Sequence, residues 1–432
     1  MTTATPPHRS LLRHPGFRLL FYAQAVSQIG TRVSVVALPL VAVLVLQASP
    51  WQVGLLAAAQ TVPFLLIGLP SGVWVDRMRK RGVLVAADLA RATMLATVPA
   101  AAALDALSLA QLYGVALATG VATVFFEVAY HSYLPLLVGQ DNLVEGNAKL
   151  EAVRAGVGIG GPGAAGWLVQ LVTAPFAILA DAASFVVSAL FLVRIRQREP
   201  RPAFEGHRGL WREIGTGLAF VGRHPVLRMI TTCTAIANLA GGCLLALTVL
   251  FLSRVVGLGP GVLGTLMAAG PIGALVGAVA AGRLSRLVGS ARIIWIAPLV
   301  TSPFELLIPL TAHGWRLGLF AVAAFMMSFG SVVYSVTQVS YRQAVTPQRL
   351  LGRMNATIRF IVWGTLPLGA LLGGALGELA GVRHTLWVVA CMAITSAVPL
   401  LLSPLVRMRE IPSPATEPDA GPGAESGSGQ KP

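Results

Sequence analysis

The residues of this sequence that could do chemistry are polar and ionisable side chains set within long apolar runs. In two runs they recur every fourth residue: Gln24, Gln28 and Arg32, and Thr119, Thr123, Glu127 and His131. Two later runs have a similar helical spacing: Thr234 and Asn238, and Ser328, Ser331, Ser335 and Gln338. Each set falls on one helix face, and unsatisfied polar groups facing lipid are costly. The pattern predicts a polar cavity with these candidate lining residues: Gln24, Gln28, Arg32, Thr123, Glu127, Asn238, Ser331, Ser335 and Gln338.

An ionisable side chain inside an apolar helix is a candidate for proton coupling, because its charge state responds to its surroundings. The candidates are Glu127, His131, Arg32, Glu305 and Asp181. Glu127 is the predicted coupling carboxylate, provided that a pair with Arg32 opens and closes during the cycle. His131 lies one helical turn away and could relay the proton, and Asp181 is also expected to brace helices. The alternative is a static network of Glu127, His131 and Arg154.

The composition is that of a membrane protein. Of the 432 residues, 55% are hydrophobic and 11% are charged, and the mean hydropathy is +0.74. Apolar segments long enough to cross a bilayer, roughly 20 residues each, begin near these residues: Phe17, Val53, Val83, Leu107, Lys149, Pro175, Leu227, Val262, Ile293, Leu317, Asn355 and Leu386. The first is too long for a signal-peptide core and is expected to remain as a helix. The predicted fold class is an all-α membrane protein with twelve transmembrane helices, here called spans one to twelve.

The formal net charge of +15 does not predict a nucleic-acid partner, because the cations alternate between loops. Four cations lie between residues 77 and 81 after span two, and seven arginines lie between residues 194 and 223 after span six. The loops on the opposite side carry only Arg254, Arg316 and Arg383. Because basic residues accumulate in cytoplasmic loops, the pattern predicts that both termini are cytoplasmic.

The two halves of the chain repeat each other. His14 opens span one and His224 opens span seven, an offset of 210 residues, and Asn147 and Asn355 correspond at an offset of 208. Such repeats predict two pseudo-symmetric six-helix bundles in parallel orientation. The predicted organisation is a cytoplasmic tail at 1–16, a bundle at 17–196, a cytoplasmic linker with an amphipathic helix at 197–224, a bundle at 225–408, and a disordered cytoplasmic tail at 409–432.

The loop after span two carries Gly72, Asp76 and Arg77 in the pattern GxxxDR, followed by basic residues. Together with the two six-span halves, this resembles the major facilitator superfamily over residues 13–409. Residues 125–127, Phe-Phe-Glu, and 181–185, Asp-Ala-Ala-Ser-Phe, resemble its bacterial exporter branch, which includes enterobactin-type and macrolide-type efflux proteins. The resemblance implies a bacterial plasma-membrane location and a gate at Gly72, Asp76 and Arg77. In that gate Asp76 docks on the start of span eleven when the cytoplasmic side closes.

Span five contains Gly161, Pro162 and Gly166 within a run of glycines. Proline removes a backbone hydrogen bond and glycine allows close helix packing, so this span is expected to bend and to pack tightly. The three residues resemble the GPxxG motif of antiporters, with glycine-rich packing alone as the other explanation. The arginine that many exporters carry early in span four has no counterpart between Tyr113 and Gly120, which weighs against a proton route there.

These features predict a secondary active transporter that exports a small amphipathic molecule, such as an antibiotic or a siderophore, in exchange for protons. The alternatives are an uptake symporter and a non-transporting sensor or scaffold. A membrane enzyme would need clustered His, Asp or Glu, such as HxxxH or DDxxD, and the sequence has no such cluster. No catalytic residue, metal or other cofactor is predicted. The expected partners are the substrate, protons and the lipid bilayer, and the protein is expected to be a monomer.

Overall fold

The computed structural model describes residues 11–68, 70–139, 142–197, 199 and 210–411, which form helices joined by short loops. Residues 1–10 of the predicted N-terminal tail, residues 198 and 200–209 of the linker, and residues 412–432 of the predicted disordered tail lie outside the described part of the chain.

Spans one to six form the N-terminal half. Their bounds are Pro15–Val45, Pro50–Leu66 with Pro70–Asp76, Lys80–Ala103, Leu109–Val138, Leu143–Val172 and Ala174–Val193. The two parts of span two meet at an angle of 62°. Pro70 opens the second part, and a proline has no backbone N–H with which to continue the helix before it.

A helix at Leu210–Arg223 precedes spans seven to twelve, which form the C-terminal half. Their bounds are Pro225–Val255, Pro260–Met267 with Ala269–Val288, Arg292–Thr301 with Ser302–Leu307, Leu317–Val345, Gln348–Ala380, and Val382–Thr395 with Val398–Leu401. Among the described residues ten helices are long and apolar enough to cross a membrane, and the bent pair of span two makes eleven. Span nine is the twelfth, and it consists of a 10-residue α-helix that continues as a 3₁₀-helix.

The two halves share local structure that follows from the sequence repeat. Nδ1 of His14 accepts a hydrogen bond from the Phe17 N–H (3.1 Å), and Nδ1 of His224 accepts one from the Leu227 N–H (3.3 Å). Each histidine therefore caps the first span of its half. Burial lowers the pKa of His224 below its ordinary value, which favours the neutral ring that this cap requires. Both spans also end in a π-helical turn, at Val41–Val45 and at Phe251–Val255.

Because each half has an even number of spans, residues 11 and 411 lie on one side of the molecule, here called the terminal side; the other is the far side. On the terminal side the carboxylate of Glu199 accepts hydrogen bonds from the N–H groups of Lys80 (2.6 Å) and Arg81 (2.9 Å). In the second half Ser290 Oγ accepts one from the Ile411 N–H (2.9 Å). The chain after the last span of each half is thereby tied to the start of that half's third span.

The apolar core is continuous on the far side and divided on the terminal side. One cluster contains buried side chains of both halves, for example Val36 and Leu247. Two further clusters each belong to one half, the first around Tyr133 and the second around Tyr341. Since burial of apolar surface holds helices together, the halves adhere at the far side and separate at the terminal side.

Candidate functional site

A cavity of about 1020 Å³ lies between the two halves. Spans two, four and five line it from one half, and spans seven, ten and eleven from the other. Its main polar and charged lining residues are Thr61, Glu127, His131, Arg154, Thr234, Asn238, Ser331, Ser335, Gln338, Arg342, Asn355 and Arg359. His131, Arg154 and Arg342 belong to the terminal-side parts of their helices, so the cavity opens toward that side.

Five of the predicted cavity residues line this space: Glu127, Asn238, Ser331, Ser335 and Gln338. Asn238 is held in place because its Nδ2 donates to the Thr234 carbonyl (2.8 Å). Thr234 Oγ1 in turn lies 2.7 Å from Tyr334 Oη, which joins span seven to span ten at the cavity wall. His131 also faces the cavity.

The structure places the other predicted cavity residues elsewhere. Gln24 and Gln28 of span one line a separate cavity of about 30 Å³ inside the N-terminal half, which His131 and Arg154 also reach. Thr123 donates its hydroxyl to the Thr119 carbonyl of its own helix (2.7 Å) and is not part of the large cavity's lining. Span two therefore lines the large cavity where span one was predicted to line it. Helical spacing identifies a polar face, but it does not say which neighbouring space that face adjoins.

Arg32 packs against span five rather than facing the cavity. A Cβ built on Gly161 would lie 2.6 Å from Arg32 Cγ, so Gly161 makes room for the arginine stem. Arg32 Nε is buried without a hydrogen-bond partner, and the nearby charge of Arg154 repels the guanidinium. Among the described residues Arg32 forms no ion pair with Glu127, so the expected Arg32–Glu127 pair is absent from this conformation.

The most deeply buried ion pair, Asp88 with Arg91 in span three, was not among the predicted site residues. Both residues are buried, and Asp88 Oδ1 accepts from Arg91 Nη2. Ser188 Oγ of span six donates to Asp88 Oδ2 (2.6 Å). The Arg91 guanidinium lies between two aromatic rings, 4.4 Å from the centre of Phe126 and 4.1 Å from that of Phe185. The pair thus joins spans three, four and six through charge, hydrogen bonding and cation–π contact.

Two further carboxyl groups lie within electrostatic range of Arg91, those of Asp181 and Glu127. Asp181 is only 1% exposed and accepts a hydrogen bond from Ser184 Oγ (3.2 Å). A sequence signal existed for this group, since Asp88 and Arg91 are oppositely charged, three residues apart and inside an apolar run. The two residues are three positions apart and so are not part of a stripe that recurs every fourth residue.

Glu305 is separate from these groups. It lies in the 3₁₀ part of span nine, which packs against spans ten and twelve, and its Oε2 is buried without a hydrogen-bond partner. It does not line the large cavity.

The far side is closed by two contacts that repeat between the halves. Gly54 of span two packs on Gly374 of span eleven, and Gly264 of span eight packs on Gly166 of span five. Beside each contact a side chain binds a helix start: Gln170 Oε1 accepts from the Gly261 N–H (3.0 Å), and Glu378 Oε2 accepts from the Trp51 N–H (3.1 Å). The predicted antiporter-like glycine Gly166 therefore takes part in the contact between the halves.

Arg254 makes further hydrogen bonds across the far side. It extends from the π-helical end of span seven to the end of span one and the loop that follows, where it donates to the carbonyl groups of Val43 and Ala48 (2.6 Å) and to Gln47 Oε1 (3.2 Å). This arginine therefore joins the two halves.

In this conformation the carboxylate of the predicted gate is paired within its own segment. Asp76 is exposed and pairs with Lys80 Nζ (3.2 Å) in its own loop. A Cβ built on Gly72 would meet nothing within 4 Å, and Arg77 is exposed. Their proposed docking belongs to a conformation in which the terminal side is closed.

A family model described as transmembrane secretion effector matches residues 7–422. The chain belongs to this family of the major facilitator superfamily. One relative in this superfamily is the multidrug efflux pump Tap of Mycolicibacterium fortuitum, which is 27% identical over 91% of this chain and 96% of the relative. Another is the enterobactin exporter EntS of Citrobacter koseri, which is 28% identical over 96% of this chain and 97% of the relative. A crystal structure of a bacterial homologue of the lysosomal transporter Spinster, inward-facing and unoccupied, has a TM-score of 0.68 at 15% identity and covers 94% of this chain and 98% of that one. The predicted major facilitator fold is confirmed, and the chain is a multi-pass transporter of a bacterial inner membrane.

Proposed function

We propose that this transporter exports a small amphipathic molecule by alternating access and that protons drive the export. The observation that carries the proposal is the cavity between the halves, open at the terminal side and closed at the far side by the two glycine contacts. A carrier that works by alternating access needs a substrate cavity that is open to one side of the membrane at a time.

The direction of transport follows from the relatives and from the charges. The family description and the names of Tap and EntS both denote secretion or efflux. Basic residues of the described chain accumulate on the terminal side, for example at Arg77–Arg81 and Arg194–Arg196, so that side and both termini are assigned to the cytoplasm. In this assignment the structure is inward-facing and takes up its cargo from the cytoplasm or the inner leaflet.

Proton coupling is proposed to involve the carboxyl groups around Arg91. The carboxyl groups of Asp88, Asp181 and Glu127 all interact electrostatically with the guanidinium of Arg91. If all three were ionised, the group would carry a net negative charge, and two of its carboxylates, Asp88 and Asp181, are buried, which makes that charge costly. The group is therefore expected to hold at least one proton while it is buried. Glu127 lines the cavity and supplies the route by which that proton is exchanged with solvent or substrate.

Gating at the cytoplasmic side is assigned to Gly72, Asp76 and Arg77. Closing that side would bring Asp76 to the positive N-terminus of span eleven, in place of its present pair with Lys80. Transport, rather than catalysis, is proposed as the activity, with the monomer as the working unit and the bilayer as its surroundings. An uptake symporter and a non-transporting sensor are the alternatives that the experiment must separate.

The test uses purified protein in proteoliposomes with the pH dye pyranine inside and a panel of antibiotics and amphipathic dyes outside. An antiporter moves protons when a transported compound is added, and moves compound when a pH gradient is imposed.

Glu127→Gln and Asp181→Asn should each abolish gradient-driven transport. Asp105→Asn is the matched control, because Asp105 is an exposed loop carboxylate with a φ of 51° that asparagine also tolerates. Proton movement in the same direction as the compound would establish a symporter, and binding without either flux would indicate a sensor.

A further inference from the structure

We propose that the cavity selects amphipathic organic anions, which Arg342 and Arg359 bind. This inference rests on the proposed function, because it names the substrate class of the same cavity.

The charged lining residues are unbalanced in sign. Three guanidinium groups, those of Arg154, Arg342 and Arg359, line the cavity, and Glu127 is the one carboxylate among the described lining residues. Arg154 lies 3.6 Å from Glu151, so part of its charge is offset. Neither Arg342 nor Arg359 pairs with a carboxylate within the described part of the chain. Even with His131 neutral, the wall therefore carries an excess of positive charge.

Arg359 lies within the helix of span eleven and not in a loop. Span eleven begins at Gln348, and at 1.5 Å per residue Arg359 lies about 16 Å along the helix. The helix has 33 residues and is longer than a hydrocarbon core of roughly 30 Å, so Arg359 lies in the terminal-side half of the span. A cation at this depth is costly unless it faces water or an anion. Arg359 is exposed and its side chain lines the cavity, so it presents its charge to the bound molecule.

Arg342 is held in position by neutral groups. Its Nη1 donates to Gln338 Oε1 (3.1 Å) and its Nη2 donates to Asn355 Oδ1 (2.6 Å), while its Nε has no hydrogen-bond partner. Amide oxygens orient a guanidinium without neutralising it, which leaves the charge available to a ligand. Arg359 lies near enough to repel Arg342 electrostatically. An anion between them would relieve this repulsion.

The remaining wall is apolar and aromatic, which selects the rest of the ligand. Phe64 and Trp363 meet edge to face with 4.8 Å between ring centres, and both line the cavity together with Tyr334 and Phe360. A cavity of about 1020 Å³ accommodates a drug-sized molecule. A compound with an acidic group and an aromatic body would satisfy both the arginines and this surface.

The test compares two dyes that share a xanthene skeleton, fluorescein, an anion at neutral pH, and rhodamine 6G, a cation. Binding to the purified full-length protein in detergent is followed by fluorescence anisotropy. Fluorescein is expected to bind at least about tenfold more tightly than rhodamine 6G, since a hydrogen bond to a charged group accounts for a factor of roughly ten or more. Its affinity should fall as salt is added, because ions screen a solvent-filled cavity.

Arg359→Gln and Arg342→Gln should each weaken fluorescein binding by about tenfold, while Arg359→Lys keeps the charge and most of the affinity. Arg286→Gln is the matched control, a terminal-side arginine of span eight outside the cavity lining. Arg342 donates to two amide side chains, so its variant could misfold. Arg359 forms no hydrogen bond or ion pair within the described residues and lies over the Trp363 ring (5.9 Å), so its variant is the decisive one.

The inference is overturned if rhodamine 6G binds as tightly as fluorescein, if fluorescein does not bind, or if Arg359→Gln has no more effect than Arg286→Gln. Flux assays in proteoliposomes separate this inference from the proposed function. Fluorescein binding that depends on Arg359, without any transport of a compound, would leave the anion site standing and remove the exporter proposal.

Discussion

Gly166 of span five and Gly264 of span eight meet backbone to backbone on the far side, where a Cβ on Gly166 would lie 2.9 Å from Gly264 Cα. Gly54 and Gly374 repeat the contact between spans two and eleven, with 2.8 Å from a Cβ on Gly54 to Gly374 Cα. Side chains do not fit at such separations in close-packed structures. The seal between the halves therefore depends on four residues without side chains.

Gly264→Ala is expected to hinder closure of the far side, because its new methyl group would overlap span five. Overpacking of this kind costs about 1–3 kcal/mol, which changes the ratio of far-side-closed to far-side-open molecules by about 5- to 150-fold. Spin labels at the far ends of spans five and eight measure the separation. Gly160→Ala serves as the control, because a Cβ there would meet nothing within 4 Å. The contact has no role in closure if both variants give the wild-type distance distribution.

Glu378 and Gln170 hold equivalent positions, and each accepts a bond from the start of a span in the other half. Glu378→Gln is therefore expected to keep the far side closed, since an amide oxygen already performs this task at Gln170. Glu378→Ala should lose the bond and open spans two and eleven by a factor of about two to ten in the population ratio. Labels across the far ends of these two spans report the change. Equal opening in the Gln and Ala variants would contradict the equivalence.

Arg254 donates to three oxygen atoms at the end of span one and in the loop between spans one and two. Hydrogen bonds from a charged group contribute about 1.5–3 kcal/mol, so Arg254→Ala should increase the far-side-open population by tenfold or more. An impermeant maleimide added from the far side would then react faster with Asn238→Cys in a cysteine-free background. Arg316→Ala is the control, a far-side arginine that stacks on its neighbour Trp315 (5.8 Å). Equal labelling rates in both variants would show that Arg254 does not hold the far side closed.

The sequence was sufficient to predict the fold because its signals are local and periodic. Apolar runs predicted the twelve spans, and the histidines at positions 14 and 224 marked equivalent span starts, where each caps its helix. The bend of span two and the short helix of span nine were not predicted. Both occur beside prolines, whose position alone does not give the size of a kink.

The candidate site was harder to predict because it depends on how the faces of different helices meet. Helical spacing placed Glu127 and Gln338 on polar faces, and both line the cavity. The same spacing placed Gln24 with them, although its face adjoins a small cavity inside one half. The Asp88–Arg91 pair depends on Ser188 of span six and on the rings around the guanidinium, and such tertiary contacts leave no periodic trace in the sequence.

The Asp88–Arg91 pair yields a last prediction, which concerns stability as well as transport. Removing one partner of a buried pair leaves an uncompensated charge and typically costs about 3–5 kcal/mol, so Arg91→Gln should lower the melting temperature of the purified protein markedly. The double variant Asp88→Asn with Arg91→Gln removes both charges and should regain a large part of that loss, a coupling on the order of 0.5–3 kcal/mol. Lys149→Gln, in the partly exposed Glu145–Lys149 pair, is the control and should change stability by less than about 1 kcal/mol.

If the Asp88–Arg91 pair is purely structural, the stable double variant should still couple protons to transport in the pyranine assay. If Asp88 belongs to the proton-binding group, the double variant should fold but transport its substrate without proton movement. Additive losses of stability in the two single variants would show that Asp88 and Arg91 do not act as a pair.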